Sequence, residues 1–334
     1  MAVQWPLLIF SVLLGASSGI LIFLGIGEIK GKFKSVRFAL ALTALILLAI
    51  GGCASALHLG HIDRAFYILG NMGSGLSKEL FAVAFVGIMT LIYVILSRKD
   101  YPGPTKVFGI LAMIGAIVLP IVAGASYMMP ARPAWDSFTL PLMFLGTGIG
   151  MGFVLAAAFV FTKADSAKKA TEDDAAKTAL FVTEDDKKLA MTLALIGVVC
   201  SVAVMLIYVI WIAMAPHPDP SRSMMRLAGG DLAVAFWVCV VLIGMAGPLA
   251  LVWKANKDMA HPVADNADAT DGAVIAGTQD GAAVAIATPA AAKKAANITP
   301  VTALWASLAC LVVGSVVLRV IMYAVATSVE QLIY

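Results

Sequence analysis

Residues 37–59 read RFALALTALILLAIGGCASALHL, an apolar run whose only Lys, Arg, Asp or Glu is its first residue. A helical run of this length crosses about 30 Å of hydrocarbon. Lipid offers an open backbone no hydrogen-bond partner, so the segment must be a helix. The residues that follow, Gly60-His61-Ile62-Asp63-Arg64-Ala65-Phe66, bring several ionisable groups to its end. The stretch predicts a membrane-spanning helix with a functional site at one end, because such groups are costly to keep there.

The rest of the chain is similarly apolar. Of its 334 residues, 61% are hydrophobic and 13% are charged, whereas soluble domains are about half apolar and about one quarter charged. The net charge of +3 is too small to indicate a nucleic-acid partner; the solvent is membrane lipid. No basic region precedes the first run, so we expect a retained span and not a cleaved signal peptide. We predict an all-α, polytopic bundle of eight transmembrane helices, near Pro6–Glu28, Arg37–Leu59, Lys78–Ser97, Lys106–Met128, Ser137–Thr162, Lys188–Ala215, Leu232–Trp253 and Pro300–Thr327.

The basic residues predict the orientation of the bundle. Segments that follow the odd-numbered spans hold seventeen Lys and Arg residues, and the segments on the other side hold five. Positive charge concentrates on the cytoplasmic side of membrane proteins. We therefore expect a multi-pass membrane protein with both termini outside the cytoplasm; in a bacterium this means the inner membrane, with both termini in the periplasm. The polar residues that follow the second span then lie at the periplasmic face.

The whole chain, 1–334, is predicted to be a single bundle with two cytoplasmic linkers. Residues 163–188 are rich in Ala, Lys, Asp and Glu, and residues 255–298 consist mostly of Ala, Asp, Gly, Thr and Val. Low complexity and few aromatic residues are typical of flexible segments without a packed core. Short helical pieces within them are compatible with this composition.

Glycines recur in the fifth predicted span, at Gly146, Gly148, Gly150 and Gly152. A dinucleotide-binding fingerprint would need a preceding strand, which a membrane span does not provide. Glycines four residues apart let two membrane helices approach closely, so the pattern predicts a helix-packing face.

Three polar residues near the second and third spans are candidates for proton chemistry. His58 lies at the outer end of the second span, where an imidazole with a pKa of about 6.5 can exchange protons with water. A histidine bonded to a loop carbonyl would look the same. Arg64 can hold a carbonyl oxygen or orient Glu79, at the start of the third span. Glu79 can accept a proton, or can simply complement the helix dipole. His61 and Asp63 are close enough to join this cluster, but a solvated loop explains them equally well.

Arg319 interrupts the apolar run of the last span near its outer end. Its side chain can snorkel to the interface, or can line the same outer cleft as His58, with Tyr323 one turn further on. Trp135, in the loop before the fifth span, is expected to belong to the interfacial aromatic belt.

The chain is predicted to carry no redox centre of its own. The four cysteines lie singly within apolar runs, without the spacing of an iron–sulfur or zinc site. None of the four histidines lies at mid-membrane, where a membrane haem takes its ligands. We therefore expect no haem and no iron–sulfur cluster in this chain, so that any cluster it works with belongs to a partner.

Several of these residues resemble the DmsC-type membrane anchor of dimethyl-sulfoxide reductase. The resemblance is specific from about Cys53 to Phe85 and collinear over all eight spans; the spans also resemble the wider group of polysulfide-reductase anchors. It is carried by Ala54-Ser55-Ala56-Leu57-His58-Leu59-Gly60, Arg64-Ala65-Phe66, Ser77-Lys78-Glu79, Pro133-Ala134-Trp135, and Arg319 with Tyr323.

The resemblance implies an anchor that oxidises menaquinol and passes the electrons to a four-cluster iron–sulfur subunit, which feeds a molybdopterin catalytic subunit. It ties the histidine at His58 to quinol oxidation and places the glutamate at Glu79 near it. The chain departs from the family pattern at Ser315, where a glutamate is expected one turn before Arg319. Both cytoplasmic linkers are also longer than usual.

These observations together predict a quinol-oxidising anchor subunit for anaerobic respiration. His58 is the expected proton acceptor at the quinol ring, and Glu79 is the expected second acceptor or proton exit. Arg64 orients the ring, and Arg319 lines the cleft. Two alternatives stay open: a secondary transporter, which would show inverted repeats and polar residues at mid-bilayer, and a structural anchor without a quinone site.

Overall fold

The computed structural model describes most of the chain and is entirely helical where it has regular structure. The described residues are 3–57, 70–71, 73–99, 101–169, 182–214, 218–260 and 298–325, and they contain no strand. The helices are α1 (Trp5–Lys30), α2 (Arg37–Ala56), α3 (Gly75–Ser97), α4 (Pro102–Ala125), α5 (Thr139–Lys169), α6 (Glu184–Met214), α7 (Pro218–Ala228), α8 (Ala235–Ala246, a π-helix), α9 (Gly247–Ala260) and α10 (Pro300–Ala324).

The described residues contain eight helical segments that are long and apolar enough to cross a membrane. Seven of them are single helices, and the π-helix α8 continues into α9 to form the remaining one. Pro248 lies at this junction, where its missing N–H interrupts the regular bonding pattern. The predicted all-α bundle of eight membrane-spanning helices is confirmed. The side of the membrane on which each end lies stays a prediction.

Helices α1 and α5 form the centre of the bundle. In their most apolar segments, 83% and 78% of residues are buried, against 22–44% in the other spans. The two helices touch along a stripe of glycines: a Cβ on Gly19 would lie 2.8 Å from the Cα of Gly152, and a Cβ on Gly148 would lie 2.8 Å from the Cα of Gly15. Only glycine permits so close an approach.

The other two glycines of the pattern face a different helix. A Cβ on Gly150 would meet Ser201 of α6 at 2.7 Å, and Gly146 lies against Val204 of the same helix. Two interleaved glycine pairs, Gly148 with Gly152 and Gly146 with Gly150, thus let α5 pack closely on α1 and on α6 at once. The predicted helix-packing role of these glycines is confirmed.

The helix ends lie at two faces of the bundle. We call the end that contains the start of α1 the N-terminal face; it also contains the ends of α2, α4, α6 and α10 and the starts of α3, α5 and α8. The other end, the opposite face, contains the ends of α1, α3, α5 and α9 and the starts of α2, α4, α6 and α10. Helix α5 extends to Lys169 and α6 begins at Glu184, so the segment 163–188 begins and ends in helix. Helix α9 extends to Ala260 in the same way, and residues 170–181 and 261–297 lie outside the described part.

A buried ion pair joins α1 and α2 at the opposite face. The carboxylate of Glu28, which is 7% exposed, pairs with the guanidinium of Arg37 and accepts a hydrogen bond from the hydroxyl of Tyr93 at 2.8 Å. Each polar group of this cluster has a partner. Without one, a charge in so apolar a setting would be strongly destabilising. The cluster fixes the connection between α1 and α2 against α3.

The short helix α7 covers the end of α10 at the N-terminal face. The Arg226 guanidinium donates to the backbone carbonyl of Ala324 at 2.8 Å and pairs with Asp231 at 2.6 Å. The hydrogen bond from Arg226 lowers the pKa of the Asp231 carboxyl. A cation at the last carbonyls of a helix complements its dipole, so Arg226 stabilises the end of the last span.

Candidate functional site

The N-terminal face contains a cavity of about 270 Å³, called the polar cavity because a carboxyl group, a guanidinium and several hydroxyl groups line it beside apolar surface. It lies between the starts of α1 and α3, the ends of α2 and α10, and the loop between α4 and α5. Its volume is close to the lower end of the range of about 300–1,000 Å³ that is typical of small-molecule sites. Its lining residues are Gln4, Leu7, Ser55, Leu76, Glu79, Ser126, Tyr127, Met129, Arg132, Trp135 and Tyr323.

Glu79 brings a carboxylate to this cavity from the second turn of α3. The helix begins after Ser74, whose side chain accepts a hydrogen bond from the backbone N–H of Ser77 at 3.1 Å. This cap fixes the start of α3 and hence the direction of Glu79. The carboxyl group is half-buried and lies beside the hydroxyl of Ser126, at the end of α4. Glu79 is thus held where it can exchange a proton with a ligand in the cavity.

Aromatic side chains from the loop between α4 and α5 and from α10 form one wall of the cavity. Tyr127, Trp135 and Tyr323 line the cavity and meet edge to face, with ring centroids 5.6–6.3 Å apart. The hydroxyl of Tyr323 donates to the hydroxyl of Tyr127 at 3.2 Å. Burial raises the pKa of Tyr127 well above its usual value, so its hydroxyl stays protonated. The wall offers flat apolar surface together with neutral hydroxyl groups.

The loop between α4 and α5 is fixed by Trp135. Its indole N–H donates to the backbone carbonyl of Met322 in α10 at 2.9 Å, and its side chain is 3% exposed. The guanidinium of Arg132 lies over the Trp135 ring, 4.8 Å from its centroid. The expectation that Trp135 belongs to the interfacial belt is wrong, because a buried indole bonded to a helix end is part of the protein core. The contact places Arg132 at the cavity.

Arg319 lies one helical turn deeper than Tyr323 and is 1% exposed. Its guanidinium lies over the Phe144 ring, 3.4 Å from the centroid, and one nitrogen donates to the hydroxyl of Thr147 at 3.5 Å. Another nitrogen, Nη1, has no hydrogen-bond partner among the described residues. Arg319 does not snorkel to the interface, and it is not among the residues that line the cavity. It supports the aromatic wall from inside the bundle.

The predicted site residues are therefore only partly covered by the structure. Glu79 lines the cavity and Arg319 lies behind it, whereas His58 and Arg64, with His61 and Asp63, lie outside the described residues. The described residues that follow α2 end at Leu57, directly before His58, and Ser55 lines the cavity. Sequence reasoning missed Tyr127 and Ser126, because polar residues just after a span are common at any membrane interface.

A smaller, apolar cavity of about 110 Å³ adjoins the polar one. It lies between α1, α2 and α3 and shares three lining residues, Ser55, Leu76 and Glu79, with the polar cavity. Its other lining residues are Phe10, Gly52, Ala56, Leu80 and Val83.

The opposite face has a cavity of about 740 Å³ between α5, α6, α9 and α10. Its charged lining residues have both signs, among them Asp165, Lys187 and Asp258. Within the described ranges, no group of three or more His, Cys, Asp or Glu residues is placed to hold a metal ion.

The fold and the cavity define a polytopic helical membrane protein with a polar, aromatic-walled site at one end of its bundle. A family model described as "DMSO reductase anchor subunit (DmsC)" matches residues 1–333. The chain therefore belongs to the DMSO reductase anchor subunit family, and it is a multi-pass protein of the bacterial inner membrane. The resemblance drawn from the sequence is confirmed.

Two curated relatives come from Escherichia coli (strain K12), and both are subunits of an anaerobic dimethyl sulfoxide reductase. The YnfH subunit is 32% identical over 165 residues, which cover 47% of this protein and 57% of the relative. The C subunit is 30% identical over 169 residues, which cover 46% of this protein and 57% of the relative. The matched region thus spans little more than half the length of each relative.

Proposed function

We propose that this protein anchors a molybdopterin oxidoreductase to the membrane and oxidises menaquinol at the polar cavity of the N-terminal face. Membership of the DMSO reductase anchor family supports the anchoring role. The observation that carries the quinol-oxidising role is the position of Glu79, which brings a carboxylate to a cavity walled by aromatic rings inside a membrane bundle. A quinol combines a flat apolar ring with two hydroxyl groups, and the cavity provides surfaces that suit both.

Oxidation of a quinol to a quinone releases two electrons and two protons, so the site needs groups that take up protons. Deprotonation makes the electrons easier to remove, and a base in contact with a ring hydroxyl therefore speeds the reaction. We assign His58 as this base and Glu79 as the second acceptor or proton exit. Arg64 orients the ring. Arg319 contributes through the aromatic wall behind which it is buried.

The electrons then leave the protein directly, because we expect it to hold no haem and no iron–sulfur cluster. We propose that the acceptor is the nearest cluster of a four-cluster iron–sulfur subunit, docked at the N-terminal face. That subunit would pass the electrons to a molybdopterin catalytic subunit; the relatives, named as parts of a dimethyl sulfoxide reductase, support such an assembly. The excess of basic residues at the opposite face supports a periplasmic position for the site and its partners.

The test of this function is the H58A variant in the assembled complex. We expect membranes to contain as much complex as with the wild type, because His58 is expected at the membrane interface, where an imidazole contributes little to the packing of the bundle. Quinol-driven reduction of the terminal acceptor should be lost, while reduction driven by an artificial dye that donates directly to the partner subunits should persist. Wild-type quinol turnover in H58A would refute the assignment. Absence of quinol turnover in the wild-type complex would favour a purely structural anchor.

A further inference from the structure

The small apolar cavity beside Glu79 has no role in the chemistry described above. It lies between the outermost helices of the bundle: α2 and α3 are the least buried spans, at 28% and 22%. Two of its lining residues, Leu76 and Leu80, are 37% and 42% exposed, so the cavity borders the lipid side of α3. Its inner wall is Phe10 of α1, which is 3% exposed.

This cavity lies directly beside the polar one. Ser55, Leu76 and Glu79 line both, so the polar groups of the site lie at the boundary between a polar and an apolar compartment. Apart from Ser55 and Glu79 at this boundary, every lining residue of the small cavity is apolar. A molecule that extends from one compartment into the other therefore needs a polar head and an apolar extension.

The part of the small cavity that α2 forms contains a glycine, Gly52. Among the described residues, a Cβ on Gly52 would meet no atom within 4 Å, although most helical glycines of the bundle face a close neighbour. Gly52 is thus not needed for a close helix approach within the described part of the chain. Its absent side chain instead leaves open space between α2 and α3 at the level of the cavity.

We propose that this crevice between α2 and α3, lined by Phe10, Gly52, Leu76, Leu80 and Val83, holds the isoprenoid tail of the quinol and is its lateral entrance from the membrane. The proposal rests on the proposed function, because it extends the same site. A lipid-soluble quinol reaches its site from the bilayer and not from water, so a site within a helix bundle needs an opening to lipid. The crevice provides this opening next to Glu79 and has an apolar surface for the tail.

The test uses G52F, which directs an aromatic side chain from α2 into the crevice, in membranes that contain the assembled complex; its Cβ meets no atom within 4 Å among the described residues. Two substrates are compared: menaquinol, which carries the isoprenoid tail, and menadiol, which has the same ring without it. We expect the KM for menaquinol to rise roughly tenfold or more, because displacing even two buried methylene groups changes binding by about that factor. The kinetic constants for menadiol should not change.

A matched control places the same side chain elsewhere on α2. Ile46 faces lipid and is 49% exposed, so I46F should leave the kinetic constants for both substrates unchanged. V83F fills the crevice from α3 and should reproduce the effect of G52F, which guards against failure of one variant to assemble. Unchanged menaquinol kinetics in both crevice variants would overturn the proposal, and would leave a lipid acyl chain as the occupant.

Equal loss of activity with menaquinol and menadiol in the crevice variants would also overturn the tail assignment, because the crevice would then belong to the ring site. Failure of the proposed function looks different. In that case the wild-type complex oxidises neither substrate, whereas failure of the tail assignment leaves wild-type oxidation intact and removes only the difference between the two substrates.

Discussion

The guanidinium carbon of Arg319 lies 3.4 Å from the centroid of the Phe144 ring, inside the bundle and one turn below the cavity. A cation placed over an aromatic face in a desolvated setting gains up to about 2 kcal/mol. The planar guanidinium stacks on the ring, and another of its nitrogens reaches Thr147. A lysine ammonium cannot reproduce both contacts.

We therefore expect R319K to lower the free energy of unfolding of the bundle by about 2 kcal/mol, because it loses the stacked contact in a buried position. Thermal denaturation of the detergent-solubilised protein measures this effect. Arg98 offers a matched control, since its guanidinium lies over Phe38, 4.9 Å from the centroid, but is exposed to solvent. R98K should have almost no effect, and an equal change in both variants would contradict our account of Arg319.

The close crossing of α1 and α5 predicts a strong effect of one added methyl group. In G148A the new Cβ would lie 2.8 Å from the Cα of Gly15, so the two helices must move apart. Overpacking of this kind costs about 1–3 kcal/mol, and we expect a lower melting temperature and less protein in the membrane.

Gly103 provides the control for this substitution. A Cβ at this position in α4 meets no atom within 4 Å in the described part of the chain, so G103A should be neutral or slightly stabilising. Equal stability of G148A and the wild type would show that the glycine stripe does not determine the helix spacing.

Replacement of the cavity carboxylate separates proton transfer from assembly. E79Q keeps the shape of the side chain but removes its ability to accept a proton, so we expect quinol oxidation to fall by about 100-fold or more while the amount of complex is unchanged. Asp185, an exposed acidic residue at the opposite face, gives the control, and D185N should behave as the wild type. Normal quinol oxidation by E79Q would remove Glu79 from the mechanism.

The orientation of the bundle can be tested by cysteine labelling. In a variant whose four native cysteines are replaced, expressed without the partner subunits that would cover this face, R132C should react with a membrane-impermeant maleimide added to intact cells, because Arg132 lies at the proposed periplasmic face. K187C, at the opposite face, should react only after the membrane is opened. The reverse pattern would place the site in the cytoplasm.

The sequence predicted the spans well, because lipid imposes a strong requirement on each of them. The predicted and observed starts coincide at Arg37 for α2 and at Pro300 for α10. Helix α6 begins four residues earlier than predicted, at Glu184, since hydropathy marks the part in lipid and not the polar extension of a helix. Helix α7 was missed because it is short, polar and lies outside the spans.

The tertiary partners of the site could not be predicted from one sequence. Tyr323 and Tyr127 are 196 residues apart in the chain, and only the packing of α10 against the loop after α4 brings their hydroxyls together. The position of Arg319 shows the same limit. The sequence places Arg319 in the last span. It does not indicate that the guanidinium packs on the ring of Phe144 inside the bundle and does not reach out to solvent.

Photolabelling with an azido derivative of menaquinone tests the central claim most directly. We expect the label to attach to peptides from the start of α3, around Glu79, and from the loop that contains Tyr127 and Trp135. Excess menaquinone should prevent this labelling. Displaceable label at the cavity of the opposite face, around Phe161 and Lys187, or label that menaquinone does not displace, would contradict a quinol site at the N-terminal face.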